Sequence, residues 1–344
     1  YTCSSCHHNL SQHEYMNRDY RSNLGRPNLN VAPLRMLALG LTAVKSFKGS
    51  DIGAMLDTVN ADPDADKLMF ALSKVKNIIA VVSGKGGVGK STVSANLALA
   101  LAEGGAKVGL MDADIYGPSV PIMFGVRGQR PLMKDEGGKG VIIPLDQYGI
   151  KIMSIGLLVD EKDAVVWRGP MASSAIRQFI TDVDWGELDY LVIDMPPGTG
   201  DIHLTIMQTV PVTGVVIVTT PQQVALADAK KAIAMFGQAN VNVPIIGLVE
   251  NMAYFTPAEL PENKYYLFGK EGGLKLASEY DLPFLGQIPL VQSIREGGDE
   301  GVPAMVGSDT VSKDAFRTFV GNAVRQIAIR NANLPQTATI TVAP

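Results

Sequence analysis

A chain of 344 residues with a hydrophobic fraction of 46% and a charged fraction of 19% can bury a large core, which excludes wholesale disorder and allows one large domain with a small appendage. The net charge of -4 argues against a protein that grips nucleic acid by neutralising phosphates. The two cysteines, Cys3 and Cys6, sit together near the start, so no disulfide scaffold holds the body and a reducing cytoplasm is the expected compartment.

The chain opens on Tyr1 and shows neither a signal-peptide pattern nor an apolar run of membrane-spanning length, so no membrane partner is expected. Residues 1–33 read as polar and irregular. Leu34, Leu37, Leu41 and Val44 have the spacing of a short amphipathic helix over 34–47, and a second helix is expected over 65–74. We therefore expect an N-terminal extension over 1–76, the main domain over 77–333 and a tail over 334–344. From Asn77 onward, short apolar runs alternate with helical stretches, which predicts a doubly wound, mostly parallel α/β sheet. Core strands are expected at 78–82, 108–111, 190–193, 215–218 and 245–249. They are nearly continuous in apolar residues because both faces are covered. Helices are expected at 91–102, closed by Gly104-Gly105, and at 225–236. Extra strands at 141–143 and 150–155 are placed on the sheet edge.

The stretch Gly84-Lys85-Gly86-Gly87-Val88-Gly89-Lys90-Ser91 fits G-x-x-x-x-G-K-[ST], with a strand before it and a helix after it, and the run from Gly84 to Thr92 is the expected ATP-binding loop. Glycines let several N–H groups converge on one phosphate chain, and the helix adds its positive end. This predicts binding of ATP with Mg²⁺. Lys90 would reach the β- and γ-phosphates and the Ser91 hydroxyl would ligate Mg²⁺. Asp194 ends one predicted core strand, at the ligand edge of such a sheet, and is read as a further Mg²⁺ ligand. Asp112 and Asp114 follow another, where one of them can orient the attacking water. Gly198-Thr199-Gly200-Asp201 reads as a mobile loop near the γ-phosphate. Asn251 follows the 245–249 strand, and its amide suits either a turn or the adenine edge.

The K-G-G-x-G-K-[ST] form of the loop resembles the deviant Walker A group of MinD-like P-loop NTPases. That resemblance implies that Lys85 crosses a homodimer interface to the partner's nucleotide. Further stretches narrow the resemblance. They are Asp112-Ala113-Asp114-Ile115-Tyr116-Gly117-Pro118-Ser119, Trp167-Arg168-Gly169-Pro170-Met171, Asp194-Met195-Pro196-Pro197-Gly198-Thr199-Gly200-Asp201, Val249-Glu250-Asn251-Met252, Phe268-Gly269-Lys270-Glu271-Gly272-Gly273 and Gly286-Gln287-Ile288-Pro289. With these, residues 77 to about 333 resemble the Mrp-type iron–sulfur cluster carrier ATPases. The resemblance implies a homodimer that binds MgATP, hydrolyses it slowly and carries an iron–sulfur cluster to apoprotein clients. It also favours Asp114 as the water-orienting carboxylate, with Asp112 in support, and Asn251 as the base-binding residue.

Two departures stand out. Where many members of that family have Cys-Pro-x-Cys, this chain reads Thr256-Pro257-Ala258-Glu259. The small α/β domain that many members carry ahead of the loop is not recognisable in residues 1–76. Cys3-Ser4-Ser5-Cys6-His7-His8 could supply thiolates for a cluster, four from two protomers. The same letters fit a c-type haem attachment pattern or half of a zinc site. The reading preferred for this segment is a plain terminus without metal. Two further functions remain open: a nucleotide-switched scaffold that binds partners without moving a cluster, and a positioning ATPase of the MinD type.

Overall fold

The computed structural model describes residues 72, 74–136, 139–158, 169–238, 241, 243–257, 259, 260 and 262–335. The expected helix at 34–47, nearly all of that at 65–74, the tail beyond residue 335 and both cysteines lie outside the described residues.

The expected core strands are present and slightly longer than their apolar runs: β1 Val75–Ser83, β2 Val108–Asp112, β7 Leu188–Asp194, β8 Gly214–Thr219 and β9 Ile245–Glu250. They belong to an 8-stranded sheet that also contains β5 Leu145–Gln147, β6 Ile150–Ser154 and β10 Phe284–Gln287, in the order β10-β9-β8-β1-β7-β2-β6-β5. Every pairing in it is parallel except β5 with β6 at the edge. The 150–155 run thus joins the main sheet beside β2. The 141–143 run does not, which corrects that expectation. It belongs to β4 Lys139–Ile143, which pairs antiparallel with β3 Leu132–Glu136 in a separate two-stranded ribbon. The main edge is already taken by β5, so β4 finds its hydrogen-bond partners in β3 and, at Ile142, in the backbone of Asp182 and Asp184.

Strand periodicity divides the core into two apolar layers. On one face of β1 lie Ile78, Ala80 and Val82, packed with residues of α3 Gly169–Thr181, α4 Asp201–Thr209, α5 Gln223–Phe236 and α6 Gly272–Glu279. On the other lie Ile79 and Val81, packed with α1 Lys90–Glu103 and α8 Thr310–Asn333. Two shorter helices, α2 Val120–Met123 and α7 Gln292–Glu300, lie against one another. Helix α1 is apolar nearly all round, with residues 93–101 buried, as a helix enclosed between the sheet and α8 must be.

The register brings the strand ends to one line. Val81 of β1 is opposite Asp194 of β7, and Asp194 is opposite Asp112 of β2. The chain therefore delivers the glycine loop after β1 and both strand-end aspartates to the carboxyl edge of the sheet. The strand order also reverses there around β1, and such crevices take ligands in open α/β sheets.

Candidate functional site

The loop between β1 and α1 has its shape imposed by two contacts. A Cβ on Gly84 would fall 2.2 Å from the backbone of Asp228, so only glycine lets the loop lie against α5. Gly89 takes φ 80 as the residue preceding α1, and a Cβ there would fall 2.1 Å from Asn251 Nδ2. Asn251 is 5% exposed, and its Nδ2 donates to the Val88 carbonyl at 2.8 Å, fastening the loop to the end of β9. The helix that follows has no side-chain cap and no acidic residue in its first turn. Its free N–H groups and the positive end of its dipole face the loop, which is the arrangement that binds phosphate.

The charged groups converge below this loop. Lys90 is 6% exposed, and its Nζ lies 2.8 Å from Asp194 Oδ1, 3.7 Å from Asp114 Oδ2 and 3.3 Å from Ser91 Oγ. Asp194 is fully buried, and Ser94 Oγ also donates to its Oδ1 at 2.7 Å. Its Oδ2 has no hydrogen-bond partner among the described residues. Asp112 is fully buried as well and accepts from Ser154 Oγ at 3.0 Å and from the backbone N–H groups of Asp114 and Val120. Burial, with the Asp194 carboxylate nearby, pushes the Asp112 carboxyl up to about 7. Burial also raises Asp114, while Lys90 pulls it back. Asp112, which ends β2, and Asp114, two residues beyond it, therefore differ. Asp112 is sealed inside a hydrogen-bond cage, and Asp114 lines the open cleft.

That cleft has a volume of about 200 Å³ and is walled by the glycine loop, Lys85, Lys90, Ser91, Thr92, Asp114, Ser119 and Pro197. Lys85 is half-buried and pairs with no carboxylate among the described residues, so its ammonium is available to an anion. A second cleft of about 350 Å³ shares Thr92, Ser119 and Met123 with the first and is walled by Asn251, Met252, Pro289, Leu290, Val291 and Ile294. The cleft beside the glycine loop thus adjoins a mostly apolar one that also carries the Asn251 carboxamide, Arg295 and Asp299. Asn251 spends one amide proton on Val88, which leaves a donor and an acceptor for a base edge.

The oxygen set suits a hard divalent cation. The orphaned, buried Asp194 Oδ2 and the Ser91 hydroxyl are oxygen donors, and Mg²⁺ characteristically takes one or two protein oxygens and completes its shell with phosphate and water. Among the described residues no three His, Cys, Asp or Glu side chains form a metal cage of their own.

Sequence reasoning passed over Ser94, Ser154 and His203. Ser94 lies four residues beyond Lys90 on the same helix, a spacing that puts both side chains on one face. Ser154 ends β6, as Asp112 ends β2 and Asp194 ends β7. No local signal marks His203, which is 1% exposed at the start of α4.

A parallel sheet that feeds a glycine loop into an uncapped helix, beside strand-end carboxylates and a buried lysine, is a P-loop NTPase of the MinD-like type. The family model described as ParA, the NUBPL iron-transfer P-loop NTPase, matches residues 74–324, and the chain belongs to that family. An iron–sulfur cluster carrier protein of Synechocystis is 54% identical over 236 residues, which cover 69% of this chain and 66% of the relative. The chain thus spans just under two thirds of that relative's length. A nucleotide-binding protein of Archaeoglobus fulgidus, solved in complex with ADP, superposes with a TM-score of 0.62 at 40% identity, over 71% of this chain and 94% of its own. The cell division ATPase MinD of Pyrococcus furiosus shares the fold, with a TM-score of 0.52 at 24% identity over 73% of this chain and 99% of its own. Among the described residues no helix is long and apolar enough to cross a membrane.

Proposed function

We propose that this chain binds MgATP in the paired clefts, hydrolyses it as a homodimer and uses the cycle to carry an iron–sulfur cluster to apoprotein clients. The observation that carries the ATPase reading is the buried Lys90–Asp194 pair beneath an uncapped helix N-terminus. In the free chain each charge neutralises the other. When the phosphates enter, Lys90 swings from Asp194 to the β- and γ-phosphoryl oxygens, and the anionic ligand replaces the carboxylate as its partner. Asp194 and Ser91 are then free to hold Mg²⁺, which would neutralise charge on the phosphates when bound. Asp114, exposed to the cleft, orients the attacking water, while Asp112 holds the turn through its three hydrogen bonds. Lys85 reaches the nucleotide of the second copy and makes hydrolysis depend on dimerisation. The products are ADP and phosphate. The adenine lies between Pro289, Leu290 and Met252, with Asn251 at its edge.

Cluster carriage is supported by the similarity to the iron–sulfur cluster carrier protein of Synechocystis and by membership of the iron-transfer P-loop NTPase family. The cargo needs thiolates. Phe255 and Tyr265, which flank the Thr256-Pro257-Ala258-Glu259 segment, are tied by two backbone bonds of 2.8 Å, and Lys264 lies over the Tyr254 ring at 4.1 Å. This surface offers aromatic and ammonium groups. In this reading Cys3 and Cys6, four thiolates from two protomers, are the candidate cluster ligands in place of a metal-free terminus, and a reducing compartment such as the cytoplasm suits both thiolates and cluster. The chemistry of this surface favours one second reading, the nucleotide-switched scaffold without cargo. Anaerobic reconstitution with iron and sulfide, followed by the visible spectrum and transfer to an apo-ferredoxin, separates the two. A cluster of about one per dimer, lost in a Cys3→Ser/Cys6→Ser variant, supports carriage. A chain that hydrolyses ATP but takes up no cluster favours the scaffold.

A further inference from the structure

His203 sits in the first turn of α4, directly after the loop of residues 196–200 that borders the phosphate cleft. It is 1% exposed, and neither Nδ1 nor Nε2 has a hydrogen-bond partner among the described residues. An imidazole buried without partners is costly, and an apolar side chain would fill the same space without that cost. Its surroundings suggest what the ring is kept for. The Gly200 carbonyl already accepts from the His203 backbone N–H at 3.0 Å and, like every carbonyl, has a second lone pair to offer; the Gly200 and Pro196 carbonyls at the two ends of the loop both favour the protonated ring, yet neither ring nitrogen makes a hydrogen bond among the described residues. Burial nevertheless holds the ring neutral, with its pKa lowered to about 4, so it has one N–H to give. The loop between the two carbonyls has the means to move. Gly198 takes φ 91, Thr199 and Gly200 are exposed, and one backbone bond, from Gly198 N–H to the Ser83 carbonyl at 2.9 Å, ties the loop to the base of the glycine loop.

We propose that His203 is a positioning residue for the 196–200 loop: when the loop closes over a triphosphate, the imidazole N–H takes up one of the two end carbonyls and holds the closed form. In this structure the donor has no partner, and closure would engage it, so the state of the nucleotide would be written into one buried hydrogen bond. This rests on the reading that the cleft takes ATP.

The test is hydrogen exchange of the amides of residues 198–204 in the full chain, with MgADP and then with Mg²⁺ and a non-hydrolysable ATP analogue, alongside steady-state phosphate release. In the wild type the analogue slows exchange of these amides by about tenfold relative to ADP, the worth of one buried hydrogen bond. His203→Leu melts no lower than the wild type without nucleotide, loses the analogue-dependent protection and drops kcat by about tenfold with KM little changed. His203→Gln, which restores a neutral donor, recovers both. Equal protection and equal kcat in His203→Leu overturn the proposal, as does a His203→Gln variant no better than His203→Leu. A wild-type chain that neither binds the analogue nor releases phosphate overturns the ATP reading, and this proposal with it.

Discussion

Replacing Gly89 by alanine tests how the loop is held, because two separable costs meet at that residue. The first is conformational: φ is 80, and an L side chain in the left-handed region costs about 1–2 kcal/mol. The second is steric. The new Cβ would lie 2.1 Å from Asn251 Nδ2, so the carboxamide must withdraw and its 2.8 Å bond to the Val88 carbonyl breaks. A buried carbonyl left unpaired costs about 1–3 kcal/mol more. Gly87 supplies the control. Its φ is 79, but nothing lies within 4 Å of an added Cβ, so Gly87→Ala carries only the conformational cost. We expect urea unfolding to show Gly89→Ala destabilised by about 2–5 kcal/mol and Gly87→Ala by about 1–2. Isothermal titration should show weaker ATP binding in Gly89→Ala, since Asn251 leaves the floor of the base cleft. Equal stabilities of the two variants would refute the clamp between Asn251 and the loop.

Other predictions follow from the buried charges. Lys90→Ala should abolish phosphate release and also destabilise the fold by about 3–5 kcal/mol, because the fully buried Asp194 loses its cation. The double variant Lys90→Ala/Asp194→Asn should recover most of that stability in denaturant melts and none of the activity. His203 gives a pH signature. Its folded pKa of about 4 lies below the unfolded value of 6.5, so its contribution is present above 6.5 and lost as pH falls toward 4. Wild-type stability should drop by about 3 kcal/mol from this group across that window, and His203→Leu should lack that component. Lys85→Ala should leave ATP binding by the monomer nearly intact but remove the rise in specific activity with chain concentration that a dimer-dependent site produces.

Much of the fold was legible because buried parallel strands advertise themselves as unbroken apolar runs: Ile78 to Val82 and Val215 to Val218 have no competing reading. The strand β10 was not legible, since Phe284–Gln287 is short, half-buried and interrupted by Gly286 at φ 145. Helix α8 carries a readable stripe in Phe316, Phe319, Val320, Ala323 and Ile327, but nothing in it says that it covers the second face of the sheet. At the site, the glycine loop and the strand-end aspartates could be read because their chemistry depends on local sequence and on the ends of apolar runs. The division between a caged Asp112 and an open Asp114 could not, because it depends on Ser154 from another strand. The pairing of Lys90 with Asp194 across 104 residues is likewise a product of strand register rather than of spacing.

The central claim is that the cleft beneath the glycine loop hydrolyses ATP through Lys90 and Asp194. The most direct measurement is phosphate release from MgATP by the purified full chain, with Asp194→Asn and Lys90→Arg alongside and folding checked by circular dichroism. The account predicts slow, magnesium-dependent release by the wild type and a loss of at least about a hundredfold in both folded variants. Release that persists unchanged in folded Asp194→Asn and Lys90→Arg would contradict it.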